Sequence, residues 1–262
     1  MFSPFTVTAA DTLLYGVDSR GEAPPLLFLN GTFATQQSWR RVVERLDARY
    51  RTITFDARGR GRSGRSSDYS LRGAIDDTDR VIDAAAVRRP PVLVGHSYGA
   101  TLAVCYAAEY PDQVGGLVLI DGAHPVSLLD GARKDDVRRH FRRRGRVTRR
   151  LAPLGRSVRM TPEQCAEVII EMDAVNGELA ADLAALRCPA VFVTDIGGRA
   201  DTSPRDAAAI RAAVGRAVVD NPSVMALPTG RRDPTQPLAK DPEVVVAALA
   251  AVVQRSEPVG HR

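Results

Sequence analysis

Short runs made almost wholly of apolar residues punctuate this chain: LLFL at 26–29, VLV at 92–94, LVLI at 117–120 and AVFV at 190–193. A strand apolar on both sides must be covered on both sides, and that is the signature of a parallel sheet sandwiched between helices. The intervening stretches supply those helices. Trp39, Val42, Val43 and Leu46 recur at helical spacing within 38–46, and so do Leu71, Ala74, Ile75, Val81, Ile82 and Ala85 from Ser70 onward. A further helix is expected over Ala100 to Glu109, another over Pro204 to Val214, and a last one over Pro242 to Val253.

Two strand-like stretches between Phe5 and Val17, a strand over Tyr50 to Phe55 and a weaker one over Val224 to Leu227 bring the expected sheet to about eight strands. The alternation pauses after Pro125. Residues 125 to 185 carry no strand signal but hold two helix-like segments, Pro162 to Val175 and Glu178 to Leu186, and the basic run VRRHFRRRGRVTRR. The expected organisation is therefore an α/β core of 1–124 and 186–262 with a helical lid inserted at 125–185. With 44% hydrophobic and 26% charged residues, a chain of 262 residues has the balance of a soluble globular protein.

The motif that carries chemistry is Gly95-His96-Ser97-Tyr98-Gly99, set between the apolar run PVLV and the helix that begins at Ala100. A strand-to-helix turn this tight forces the serine into a strained backbone and presents its hydroxyl. Glycines two residues to either side remove the side chains that would clash. The helix N-terminus places partial positive charge where an oxyanion would develop. A second glycine pattern, Gly59 to Gly64, also fits G-x-G-x-x-G, but a dinucleotide fingerprint should open a helix directly in the first strand–helix–strand unit. It reads instead as a turn beside the serine.

With LLFLNGT, DARGRGRSG, GHSYG and LIDGAHP quoted in order, the stretch from Leu26 to Pro125 resembles the α/β-hydrolase family over its first six strands. The resemblance implies an eight-stranded, mostly parallel sheet, an oxyanion hole made by the backbone N–H groups of Thr32 and Tyr98, and a pocket bordered by Asn30, Gly31, Phe33 and His96. Asn30 stands where many members carry histidine. The family order is Ser, then an acid after the sixth or seventh strand, then His after the eighth. Asp121, Asp195 and Asp201 are the acids available, with the usual position falling near Gly198.

The histidine is the departure. The four histidines are 96, 124, 140 and 261, and PTGRRDPTQPLAKDPE, the loop after the eighth strand, puts Arg232 where the family's His belongs. Arginine stays protonated and cannot serve as a general base at neutral pH. His124, leaving the sixth strand on the ligand-binding side of the sheet, is the substitute proton carrier, and a lightly perturbed imidazole there would titrate near about 6 to 7.

These residues point to an enzyme acting on the carbonyl of a small ester, thioester or lactone, as on a biosynthetic intermediate, with Ser97 as nucleophile and Asp121 or Asp201 as acid. Two alternatives stand beside it: a lyase, cyclase or isomerase that uses the same hole to stabilise an enolate, and an inactive binding or scaffold protein. The arginine-rich stretch from Arg133 to Arg159 reads either as attraction for an anionic or carrier-bound substrate or as a solvated helix face.

A net charge of +5 raises the question of nucleic acid, but nearly all the positive charge is arginine, lysine appearing only at 134 and 240, and no nucleic-acid-binding module accompanies it. No apolar run is long enough for a membrane span and the N-terminus has no secretory pattern, so a cytoplasmic protein is expected. Cys105, Cys165 and Cys188 are odd in number and far apart, which suggests buried thiols rather than disulfides or a metal site, and no cofactor is implied.

Overall fold

The computed structural model describes residues 2–46, 49–151, 158–194, 202–228 and 241–256. Its centre is one eight-stranded sheet in the order β1-β2-β4-β3-β5-β6-β7-β8. The strands are β1 Ser3–Ala9, β2 Thr12–Asp18, β3 Pro25–Leu29, β4 Arg51–Asp56, β5 Val92–His96, β6 Gly116–Ile120, β7 Ala190–Thr194 and β8 Val224–Pro228. β2 runs antiparallel to both β1 and β4, and every other pairing is parallel.

Alternate residues of the central strands sort into two layers. Leu26, Phe28, Val94, Val118 and Ile120 face a layer with Trp39, Val245 and Leu249, whereas Leu27, Leu93, Leu117 and Phe192 face one with Ile75, Val81 and Tyr106. The first layer is covered by a 3-10 turn, Gln36–Trp39, running into the short helix α1, Arg40–Val43, and by α7, Pro242–Ser256. The second is covered by α2, Leu71–Ala85, α3, Tyr98–Glu109, and α6, Pro204–Asp220. The all-apolar strands are thus buried on both faces, as their composition requires.

The helix expected over 38–46 starts earlier and is shorter. Gln36 is held by Asp56, its backbone N–H donating at 2.8 Å, and the indole N–H of Trp39 donates to Asn30 Oδ1 at 2.8 Å, so the first turn is fixed from the sheet side. Between β6 and β7 come α4, Gly131–Leu151, and α5, Pro162–Ala185. α5 is one continuous helix where two segments were expected. Gly177 does not break it: a Cβ there would stand 3.0 Å from Ser127, and Asn176 beside it accepts a hydrogen bond from Thr101 of α3 at 2.8 Å. Packing against α3 and the 126–129 loop outweighs the intrinsic cost of a helical glycine.

α4 is helical through the basic run. Arg133 pairs with Asp206 at the start of α6 at 3.1 Å and Arg138 with Glu167 of α5 at 2.9 Å, so part of that charge ties the insertion to its neighbours. Burial pushes the thiols of Cys165 and Cys188 up to about 11 and that of Cys105 up to about 12, so all three are protonated at neutral pH. Among the described residues no group of three His, Cys, Asp or Glu is placed to hold a metal, and no helix is long and apolar enough to cross a membrane.

Candidate active site

In the order β4-β3-β5, the chain steps from β3 to one side for β4 and to the other side for β5. The crevice outside the carboxyl ends of β3 and β5 is therefore the topological switch point, where open α/β sheets bind ligands. Ser97 follows β5 and the Asn30–Thr32 loop follows β3. The two meet at that crevice.

Ser97 has φ 53° and ψ −114°, a conformation that an L-residue adopts only under strain. Its N–H donates to the Ile120 carbonyl at 2.8 Å, and its carbonyl accepts from the backbone of Ala100 at 3.0 Å. Three glycines permit this. A Cβ on Gly95 would stand 2.3 Å from the Gly99 carbonyl oxygen, one on Gly99 2.1 Å from the Leu29 carbonyl oxygen, and one on Gly122 2.3 Å from that of Ser97. Although Ser97 occupies the N-cap position of α3, its hydroxyl makes no capping hydrogen bond. The usual task of an N-cap serine is left undone, and Ser97 lines a cavity of about 200 Å³.

That cavity is also lined by His124 and Asp121 from the loop after β6, and by Met172, Asp173 and Asn176 of α5. Asp121, like Ala123, has positive φ, 48° and 55°, so the β6 loop is tightly coiled around Gly122. His124 is half-buried with its Nε2 shielded from solvent and without a hydrogen-bond partner. Burial pushes its imidazole down to about 4, well below the 6 to 7 expected for a lightly perturbed ring. No hydrogen bond joins it to Ser97 among the described residues.

The β3 loop forms the other wall. Thr32, Gly31, Asn30 and Tyr98 line a second, smaller cavity of about 20 Å³. The backbone N–H groups of Thr32 and Tyr98 find no acceptor among the described residues, and Tyr98 is the first residue of α3, where helical N–H groups lack internal partners. Asn30, expected at the pocket, spends both ends of its amide on the scaffold, donating to the Phe55 carbonyl at 2.6 Å and accepting from Trp39. The His96 ring lies against Gly31, Nδ1 standing 3.0 Å from where a Cβ would be. Phe33, 36% exposed, meets Phe141 of α4 edge-on with ring centroids 5.3 Å apart.

Arg232, Asp201, Asp195 and His261 lie outside the described residues. His140 belongs to α4, where it packs on Phe141, away from the cavity of Ser97. Sequence reasoning passed over Gly122, Asp173 and Arg60. Gly122 lay within the LIDGAHP motif but its contact is with Ser97, just beyond the end of another strand, and Asp173 is one carboxylate among many on a helix face. Arg60 sat in a stretch read only as a turn.

A strained serine at a strand-to-helix turn, beside two backbone N–H groups that find no acceptor among the described residues, at the switch point of a doubly covered parallel sheet, defines an α/β fold built around a serine. The model of the alpha/beta hydrolase fold family matches residues 24–159, more than half of the chain. The chain belongs to that family.

Among curated proteins it is 34% identical over 110 residues to epoxide hydrolase 3 of Xenopus tropicalis, covering 41% of this chain and 30% of that protein. To the 2-(acetamidomethylene)succinate hydrolase of Mesorhizobium japonicum it is 37% identical over 106 residues, covering 40% of this chain and 38% of that one. The chain thus spans well under half the length of these relatives. Among solved structures, the haloalkane dehalogenase DatA of Agrobacterium tumefaciens C58 superposes with a TM-score of 0.76 at 18% identity, over 98% of this chain and 97% of the other. That likeness is one of fold.

Proposed function

We propose that this protein is a hydrolase of a small ester, thioester or lactone in which Ser97 is the nucleophile. The observation that carries the reading is the backbone of Ser97, at positive φ in a turn where Gly95, Gly99 and Gly122 leave no room for a Cβ, while its hydroxyl is left out of helix capping and the residue lines a cavity. Strain of that kind persists only where the surroundings enforce it. The relatives named above as hydrolases support the reaction class.

In this reading Ser97 Oγ attacks the carbonyl carbon of the substrate and the carbonyl oxygen takes up negative charge. The N–H groups of Thr32 and Tyr98 donate to that oxyanion, and removal of one such donor costs about 10²–10³ in rate. His124 takes the serine proton. Burial leaves it neutral at neutral pH, although a pKa near 4 makes it a weaker base than a free imidazole, and Asp121, the acid of this reading, lines the same cavity. Collapse expels the alkoxide or thiolate, which leaves with that proton, and water then cleaves the acyl-enzyme by the same route.

α4 and α5 act as the lid of the site, the core being 1–124 and 186–262. The presence of Met172, Asp173 and Asn176 in the wall of the Ser97 cavity supports this. One observation favours the non-hydrolytic alternative, a lyase or isomerase that stabilises an enolate in the same hole: Ser97 and His124 share a cavity without a hydrogen bond. Steady-state hydrolysis of p-nitrophenyl acetate separates the two. Ser97→Ala is expected to abolish turnover and His124→Ala to lower it by about 10²–10⁴, the usual contribution of general-base assistance. Full activity in His124→Ala would remove that residue from the mechanism.

A further inference from the structure

Arg60 lies in the Gly59–Gly64 turn and is only 4% exposed. Its Nε donates to the Thr32 carbonyl at 2.9 Å and its Nη1 to the Arg58 carbonyl at 2.7 Å. A guanidinium has five N–H groups, so these two bonds leave most of its donors unused, and Nη2 makes no hydrogen bond among the described residues. None of the ion pairs between described residues includes Arg60. The face of Tyr69 lies beside it, with the guanidinium carbon 5.9 Å from the ring centroid.

The neighbouring Arg58 shows what a compensated arginine looks like here. Also buried, it forks onto Asp77 with bonds of 2.8 and 2.7 Å and reaches Asp68 at 3.3 Å. A buried cation is ordinarily paired, because desolvation without a counter-charge is costly. Arg60 lacks that pairing, and burial holds its pKa below the ordinary arginine value while leaving it charged.

Arg60 also lines the cavity of about 20 Å³ whose wall includes Gly31, Thr32 and Tyr98. One water needs about 10 to 15 Å³ by this measure, so the space suits one or two oxygen-sized atoms. One carboxylate oxygen beside the carbonyl oxygen received by Thr32 and Tyr98 fills that space, and it would meet the unused donors of the guanidinium. We infer that Arg60 receives a carboxylate carried by the substrate, so that the substrate is a short acid whose reacting carbonyl stands close to that carboxylate. The assignment of the neighbouring carbonyl rests on the Ser97 reading; the anion site does not.

The test therefore has two parts. Calorimetric titration of formate into the Ser97→Ala protein, in which no chemistry intervenes, is expected to show saturable binding at one site, weakened about tenfold or more in Ser97→Ala/Arg60→Gln and less in Ser97→Ala/Arg60→Lys, which keeps the charge. In the otherwise unaltered enzyme, Arg60→Gln should raise KM for monomethyl succinate about tenfold while changing that for dimethyl succinate by less than about threefold, a split that loss of the Thr32 contact alone would not produce. Absence of formate binding in the folded Ser97→Ala protein, equal binding after Arg60→Gln, or equal loss on both esters would overturn the proposal. Formate binding that depends on Arg60, with neither ester turned over, would sustain the anion site and count against Ser97 as a hydrolytic nucleophile.

Discussion

At the residue scale, the site is a set of close backbone approaches that only glycine allows. Gly95 and Gly99 could be picked out in advance because the motif that contains them is local: five consecutive residues between an apolar strand and a helix. Gly122 could not, since its contact with the Ser97 carbonyl joins the ends of two adjacent strands and depends on their register, His96 opposite Ile120. The same applies to Asn30, whose amide is consumed by Trp39 and Phe55 from other elements. Gly122→Ala tests the point. A Cβ 2.3 Å from the Ser97 oxygen forces the elbow or the β6 loop to move, at an expected cost of about 1–3 kcal/mol in urea unfolding, together with loss of esterase activity. Unchanged stability and activity would mean that the loop yields freely and that the glycine is incidental.

Among the elements, strands and core helices were legible because their signal is short-range: β3, β5, β6 and β7 are each an apolar run bounded by turn residues, and α2 repeats its apolar face at regular spacing. The insertion was less so. The single α5 in place of two helices depends on contacts with α3 and the 126–129 loop that no local pattern encodes. Asp173 anchors that loop, accepting from Ser127 Oγ at 2.6 Å and from the backbone of Leu128 and Leu129 at 2.7 and 3.1 Å. Asp173→Ala leaves three donors unanswered at a half-buried joint. Unfolding in urea should show a loss of about 2–3 kcal/mol, with KM for any ester rising as the cavity wall loosens. If KM is unaffected, the loop takes no part in holding substrate.

On the scale of the whole molecule, folding is linked to protonation through His124. Its imidazole titrates near 6.5 when exposed in the unfolded chain and near 4 in the fold, so between those values the unfolded state binds the extra proton. The contribution is fully present above 6.5 and is lost as pH falls toward 4, amounting to at most about 3 kcal/mol. Asp18, held low by its bonds to Arg51 and Arg20 against the effect of burial, adds a further loss below 3.8. Urea midpoints measured from pH 8 to pH 4 should fall across the His124 window, and His124→Gln should flatten that part of the curve; an equal slope in both proteins would place the titrating group elsewhere. Hydrolysis by the proposed route requires Ser97 to be an activated nucleophile, and a fluorophosphonate probe reads that directly. Stoichiometric covalent labelling is expected at neutral pH, mapped by peptide mass spectrometry to Ser97 and abolished in Ser97→Ala, whereas a folded protein that takes up no label, or takes it up at another residue, would rule out Ser97 as the nucleophile.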